Sequence, residues 1–332
     1  MGAVVLRIES LINTILDVVV IKTGIVISDR QLVEILSNEF PYSDNFKDYE
    51  KNKGHVVRIR SEEFDGFCFS ARKSLGELDK DFAPFFSWNV DKYSEWIESG
   101  YDPLKVHKRF FELMAEVHNP DQPSLIDPTP IVDQIIKEKI APLEIILDVL
   151  QSILHTQKAS NTVLPAEEIL WDGGIPLNDL FAKEHIPLSE QAFIDQKYIN
   201  YLEAHPEQLE YMHWRNFERL TAEFFKRDGY DVVLGPGSND GGVDLRIYDE
   251  KDTSRPLILI QCKRHKSGND VKIETVKSFY SDIEFEGANA GMIATTSKIV
   301  PGGKKVVAIR KYPLSFAENE EIRDWVARMK KR

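Results

Sequence analysis

Residues 235–264 read GPGSNDGGVDLRIYDEKDTSRPLILIQCKR, and both the fold and the chemistry of the C-terminal region turn on this stretch. VDLRIY (Val243–Tyr248) and LILIQCK (Leu257–Lys263) are two β-rich runs joined by the polar turn segment DEKDTSRP, the pattern of a hairpin. Asp244 opens the first strand, and Gln261 and Lys263 close the second. Side chains two apart on a strand share a face, so Gln261 and Lys263 point one way and Cys262 the other. Ordinary pairing then sets Asp244 beside Gln261, with a carboxylate and an amide oxygen near one ammonium. Oxygen donors of that kind suit a hard divalent ion such as Mg²⁺, which keeps several waters, one of them able to become a nucleophile. The Lys263 ammonium would stabilise charge added to a phosphodiester or orient the attacking water.

Each of these residues also has a plain structural alternative. Asp244 follows Gly241 and Gly242, and Asp and Gly are common punctuation between strands. Lys263 ends an apolar strand, where a solvated lysine is ordinary. The clustering of Asp244 with the downstream QCK favours chemistry, because turn residues alone do not bring a matching polar set. Gln261 carries no charge and binds a metal more weakly than a carboxylate would, so Asp240 and Glu218 are candidate accessory acids.

Around this stretch the chain resembles the Mrr-like branch of the restriction-endonuclease fold, the PD-(D/E)xK nucleases. The resemblance runs from about Trp214 to the C-terminus. It is carried by FERLTAEFFKRDGYDV from Phe217, NDGGVDL from Asn239, QCKR from Gln261 and AGMIATTS from Ala290, in that order and spacing. By position, it implies that Asp244 is the metal-binding Asp, Gln261 the second acidic position and Lys263 the catalytic Lys. Gln replaces Glu there, a departure from the general motif that looks usual in the Mrr branch. The resemblance further implies a metal ligand from the main-chain carbonyl of Cys262 and an acidic helix residue, Glu218, reaching the site. A surface ion pair of Glu218 with Arg215 or Arg219 is the structural alternative. A Mg²⁺-dependent DNA endonuclease, with Mn²⁺ able to substitute and a role in restriction of foreign DNA, is what the resemblance implies as a whole.

Basic residues follow the catalytic strand in KRHK (Lys263–Lys266), and others follow the TTS turn. Arg264, Lys266, Lys298, Lys304 and Lys305, with hydroxyls from Thr296 and Ser297, are candidates for phosphate contacts. His265 is left without a role, since hydrolysis of this kind requires no histidine.

The 332 residues carry a net charge of −12, which spread evenly would disfavour a nucleic-acid partner. It is not even: from Pro206 onward there are 22 Lys and Arg against 20 Asp and Glu, leaving 20 against 34 in residues 1–205. The nuclease-like part can therefore present a basic face, while the acidic N-terminal part favours a regulatory protein or signal as its partner. Two cysteines, Cys68 and Cys262, lie far apart without zinc spacing, and a reduced, cytoplasmic protein is the simplest reading. The apolar run Ala3–Ile27 is broken by Arg7, Glu9, Asp17 and Lys22, so a core element is expected, with no membrane span or signal peptide.

In chain order, residues 1–118 read as an acidic mixed α/β domain. VVLRIESLINTILDVVVI is strand then helix, or one long helix. Ser28 or Asp29 caps a helix through SDRQLVEILSNEF. HVVRIR from His55 and GFCFSAR from Gly66 alternate as strands. Phe82, Phe85, Phe86, Trp88, Tyr93 and Trp96 are read as core packing around an Asp91–Glu98 helix, with a base-stacking pocket as the alternative. A helix follows from Lys105, then a proline-rich linker at 119–130. Residues 131–212 read as a helical connector or as the second half of the N-terminal domain, with Pro142 kinking or dividing the first helices. The 213–332 domain is expected to hold a central mixed sheet flanked by helices, with Asn319 capping the last helix. A homodimer would let one assembly cut both strands of a duplex.

Overall fold

The structure is a computed structural model that describes residues 2–80, 82, 93–117, 128–161, 173–187, 191–237, 242–249 and 254–330. Asp240, Phe85, Phe86, Trp88 and most of the proline-rich linker lie outside the described residues. The chain forms two compact units, one of residues 1–80 with 172–332 and one of residues 81–171. The sequence-based boundaries at 118, 130 and 212 run along the chain, whereas the units interleave it.

In the larger unit, β1 (Ala3–Arg7) leads directly into α1 (Ile8–Thr23), which resolves the strand-then-helix ambiguity. Gly24 ends α1 with φ at 67°, a left-handed cap that costs a side-chain-free residue little. A two-residue strand, β2 (Ile25–Val26), precedes α2 (Asp29–Glu39). Ser28 caps α2 by accepting from the Gln31 N–H, and Gln31 returns the bond to the Ser28 backbone. A short turn, α3 (Tyr49–Asn52), leads to β3 (Val56–Arg60), which pairs antiparallel with β1.

The next element corrects the sequence reading. GFCFSAR is helical, inside α4 (Ser61–Ser74), and not a strand. Phe67 and Phe69 do alternate, but Phe67, Cys68, Ala71 and Arg72 are the buried set, a helical spacing that faces the core. Long-range packing, unseen in seven residues, decides between the two periods.

The smaller unit contains α5 (Pro103–Val117), α6 (Thr129–Glu138) and α7 (Leu143–Ala159). The second and third are divided at Pro142, and Lys139 closes α6 in a left-handed turn. Their core is Val106, Phe110, Ile131, Ile135, Ile145, Ile146 and Val149, with Tyr93 and Trp96 packed against it. Packing, rather than an open stacking surface, accounts for these two aromatics. The Tyr93 hydroxyl lies 2.5 Å from His107 Nε2, and the Trp96 indole donates to Asp148.

The larger unit resumes with β4 (Ile175–Pro176), α8 (Leu177–Ala182), α9 (Gln196–Ala204) and α10 (Trp214–Arg227). Beyond Gly229 come β5 (Asp231–Leu234), β6 (Leu245–Tyr248), β7 (Ile258–Lys263), α11 (Ile273–Glu286), β8 (Ala290–Thr295), α12 (Pro301–Arg310), β9 (Leu314–Ala317) and α13 (Asn319–Lys330). The five strands form one mixed sheet in the order β5-β6-β7-β8-β9, antiparallel through β7 and parallel from β7 to β9. Asn319 is the first residue of α13 and its amide donates to Thr296 O, so it ties the helix to the β8 end instead of capping it.

Both faces of the sheet are covered, which is why β7 reads as a nearly continuous apolar run. On one face Leu245, Ile247, Ile260 and Cys262 meet Phe217, Leu220 and Phe224 of α10 and Ile322, Trp325 and Val326 of α13. That core continues without a break into α1, α2 and α4. On the other face Leu259 and Ile293 meet Val276, Phe279 and Ile283 of α11. Gly291 of β8 permits this second packing: a Cβ there would lie 2.3 Å from Ile283 Cδ1 and 3.0 Å from Phe279 Cε1. Gly291→Ala is therefore expected to cost about 1–3 kcal/mol through overpacking. The cost should shrink in a Gly291→Ala/Ile283→Val double variant, where the clashing methyl is gone. Urea unfolding of the four proteins of this cycle checks it, and strict additivity would refute the contact.

Candidate active site

The site is set by how β6 and β7 pair. Leu245 lies opposite Ile260, so one step back Asp244 faces Gln261. Two bonds lock this register: the Asp244 N–H donates to Ile260 O at 2.9 Å, and Asp244 Oδ2 accepts from the Cys262 N–H at 2.6 Å. Asp244 is 7% exposed and Gln261 also 7%, so a carboxylate and an amide are buried side by side. Burial of such groups is tolerated only when their polar atoms find partners.

Gln261 has one satisfied end and one open end. Its Nε2 donates to Gly242 O at 2.8 Å, which fixes the amide's orientation and turns Oε1 the other way. Oε1 is buried and has no hydrogen-bond partner among the described residues. Leaving such an oxygen unsatisfied costs on the order of 1–3 kcal/mol, a cost that a bound cation or polar ligand removes. Gly242 makes this arrangement possible: its φ is 91°, and a Cβ there would come within 2.9 Å of Gln261 Nε2.

Lys263 is half-buried at the end of β7 and forms no ion pair or side-chain hydrogen bond among the described residues. Its carbonyl accepts from the Thr295 hydroxyl at 2.7 Å and from the Thr296 N–H, which holds the strand end firm. Asp244, Gln261 and Lys263 are thus brought together on the α11 side of the sheet. Cys262 points into the opposite core, where burial and then the Asp244 charge push its thiol well above the usual range. Any part Cys262 plays at the site belongs to its backbone.

Glu218 approaches from α10. It is buried, but its Oε2 accepts from Arg215 Nη1 at 2.6 Å, and Arg215 Nη2 also grips Gly235 O at 2.6 Å. The anticipated ion pair with Arg215 is therefore present, inside the protein and not on its surface. Among the described residues no three His, Cys, Asp or Glu side chains gather as a metal cage. The oxygen donors at hand are the Asp244 carboxylate and the Gln261 amide, hard ligands of the kind Mg²⁺ accepts while retaining water.

The basic candidates divide. Arg264 turns inward, donating to Glu210 O at 3.3 Å, and Lys266 Nζ stands 5.0 Å over the Tyr211 ring. Ser297 is buried with its hydroxyl donating to Asn269 O, and the Thr296 hydroxyl donates to His265 O. Lys304 pairs with Glu318 at 2.6 Å. Lys298 and Lys305 are exposed and form no ion pair among the described residues. A cavity of about 620 Å³ beside Ser297 and Lys298 includes none of Asp244, Gln261 and Lys263, and Glu207, Glu210, Asp270 and Glu318 make its wall acidic.

The sequence reading missed one acid. Asp282 of α11 lies close to this site: its Oδ2 is 3.9 Å from where a Gly242 Cβ would stand, beside the Gln261 amide. Burial, and then Glu286 one turn away, raise its pKa. Glu286 itself holds Arg246, the next residue of β6 on that face, through two bonds of 2.6 and 2.7 Å. Nothing in the helical pattern marks Asp282, since it sits between Phe279 and Ile283 like any flanking polar residue.

Residues 209–326 match a family model described as "Restriction endonuclease". The C-terminal region thus resembles the Mrr-like restriction-endonuclease superfamily, and this match does not extend to residues 1–208. A curated relative, "Uncharacterized protein y4cE" of Sinorhizobium fredii (strain NBRC 101917 / NGR234), is 27% identical over 118 residues, 35% of this chain. The aligned part spans 30% of that relative's length. A solved structure, MspJI restriction endonuclease in complex with a 27-mer oligonucleotide, is 20% identical and covers 57% of this chain and 41% of that chain. The TM-score between the two is 0.31.

A raised carboxyl pKa in the folded state makes ionisation of Asp282 a cost to stability. The sign follows: the cost is absent below the unfolded pKa, grows as pH rises toward the folded pKa, and persists above it. Asp282→Asn should therefore be more stable than wild type at neutral pH, and the difference should vanish as pH falls through the ordinary carboxylate range. Denaturant midpoints across that range measure it; a pH-independent difference would contradict the assignment.

Proposed function

We propose that the C-terminal region is a metal-dependent endodeoxyribonuclease that hydrolyses DNA phosphodiester bonds. The observation that carries this reading is the buried Asp244–Gln261 pair, with the Gln261 Oε1 unsatisfied and the Lys263 ammonium two residues along the same face. The family match over residues 209–326 supports it. Asp244 and Gln261 would hold Mg²⁺, or Mn²⁺ in its place, helped by the Cys262 carbonyl, Glu218 or Asp240; Asp282 is a further acid close by. When bound, the ion supplies Lewis-acid charge and an activated water. The chain's own contribution is position and charge. Lys263 neutralises the charge that develops on the phosphate or orients the water. Arg215 and the Cys262 N–H hold the two carboxylates in place.

Lys298, Lys305 and Lys266 are the exposed cations proposed to meet the phosphates, with Arg264, Lys304 and Ser297 shaping the loops that carry them. In this reading the biological role is restriction of foreign DNA in the cytoplasm. The acidic N-terminal region receives a signal or a regulatory protein, and a homodimer cuts both strands. A repair or structure-specific nuclease of the same fold is the neighbouring assignment, and substrate preference separates the two.

The test is cleavage of supercoiled, linear and single-stranded DNA, methylated and unmethylated, in Mg²⁺, Mn²⁺ or EDTA. Asp244→Asn keeps an acceptor for the Cys262 N–H, so it is the cleaner variant than Asp244→Ala, which would orphan that donor. Asp244→Asn and Lys263→Ala should each lower the rate by at least about 10²-fold, in line with loss of a transition-state charge partner. EDTA should abolish cutting. Cleavage that survives EDTA and both substitutions would overturn the assignment.

A further inference from the structure

The β1–β3 ribbon has two unlike faces. Cross-strand partners share a face, so Val4 with Ile59 and Leu6 with Val57 form one side, on which Ile59 is buried, Leu6 and Val57 are half-buried and Val4 is exposed. The other side is built of three successive pairs, Arg60 with Ala3, Arg58 with Val5, and Arg7 with Val56. All six of these residues are exposed, Val5 at 65% and Val56 at 62%. Every pair sets one arginine against one small apolar residue. The three guanidinium groups therefore stand at successive levels, about 7 Å apart along the ribbon.

This charge is unusual in its surroundings. Residues 1–205 hold 20 cations against 34 acids, and ion pairs are common there. None of Arg7, Arg58 and Arg60 forms an ion pair among the described residues, and the six paired positions of the face include no carboxylate. Two acids follow Arg60 closely, Glu62 and Glu63; Glu63 is engaged with a backbone group, accepting from the Arg60 N–H at 2.8 Å, and neither pairs with the Arg60 guanidinium among the described residues. Solvated arginines without counter-charges on a rigid two-stranded ribbon, flanked by residues too small to hold a partner away, fit a polyanion. Duplex DNA presents one negative charge per about 1.7 Å of axis, a row of phosphates that guanidinium groups spaced along a ribbon can meet.

We infer that the outer face of the β1–β3 ribbon is a second DNA-contacting surface, which grips the phosphates of duplex DNA through Arg7, Arg58 and Arg60. The inference rests on DNA being the substrate of the Asp244 site, and it assigns to the acidic N-terminal region a direct part in holding that substrate. Guanidinium groups on a ribbon contact phosphates without reading sequence, so this surface adds affinity and not specificity.

The experiment measures binding of the full chain to a labelled 30-base-pair duplex in EDTA across a salt series. Wild type is compared with an Arg7→Gln/Arg58→Gln/Arg60→Gln triple variant, the matching Arg→Lys triple and the three single Gln variants. Each phosphate contact contributes about 0.9 to the slope of log K against log[salt]. The Gln triple should therefore lose about 2.7 from that slope, each single about 0.9, and the Lys triple should keep it. Cleavage in Mg²⁺ should fall for the Gln triple at low DNA concentration and recover as DNA approaches saturation. Thermal melting and light scattering accompany each variant, since the substituted side chains are exposed. An unchanged slope in a folded Gln triple, with Asp244→Asn still abolishing cleavage, would overturn the ribbon assignment and leave the nuclease intact. Failure of wild type to bind duplex DNA at any salt would overturn both. A change in molecular mass with no change in slope would give the face to a second copy of the chain and overturn the DNA assignment.

Discussion

The register between β6 and β7 is the constraint on which the site depends. Because side chains alternate with a period of two, a slip of one residue would send Gln261 and Lys263 into the α10 core and Cys262 to the site. The carboxylate of Asp244 guards against that slip by accepting the Cys262 N–H itself, at 2.6 Å, beyond the last ladder bond of the hairpin. A catalytic candidate is thereby also a structural pin. Its loss would remove a charge from the site and a partner from a buried donor, two effects that a rate measurement alone would merge.

Around that pin the polar groups are organised in opposite ways on the two faces of the sheet. On the α10 face, Arg215 neutralises Glu218 and ties it to Gly235 O, so a buried acid is held by a buried base. Removal of either partner would strand the other's charge away from water. On the α11 face the acids are less completely matched. Glu286 is clasped by Arg246, whereas Asp282 one turn away has a raised pKa, and the Gln261 Oε1 has no partner among the described residues. The unsatisfied Gln261 Oε1 thus lies on the same side of β7 as Lys263, two residues away.

Charge along the chain follows a related logic. The net excess of acid in residues 1–205 describes a sum, and a partner meets a surface. In the folded protein, Lys304 is paired with Glu318 and Arg264 is turned toward Glu210 O, so two cations of the C-terminal region are already engaged. Three arginines of the acidic region share one ribbon face and form no ion pair among the described residues. Residues 1–80 also share a continuous core with the helices of the C-terminal sheet, from Ile8 through Phe217 to Met329. Ribbon and nuclease-like sheet accordingly belong to one compact unit.

Local pattern alone was enough for much of this. The alternation and turn residues of 235–264, the apolar faces of α10 and α11, the Ser28 cap and the Pro142 break are encoded within a few residues of where they act. The pairing of Asp244 with Gln261 followed from strand periodicity for the same reason. What local pattern misjudged was GFCFSAR, where Phe67 and Phe69 alternate as in a strand while the packing of Phe67, Cys68, Ala71 and Arg72 against the core selects a helix. Asp282 and the orphaned Gln261 Oε1 were also out of reach, since each depends on an element far along the chain, α11 and Gly242 respectively. The sequence by itself determined most of the strands and helices, β6, β7, α10 and α11 among them, and the period that sets Asp244 opposite Gln261, because these depend on spacing. Only the tertiary structure decided which charges are paired, which polar atoms are left without partners and which arginines share an exposed face, because those depend on distance between residues that the chain keeps apart.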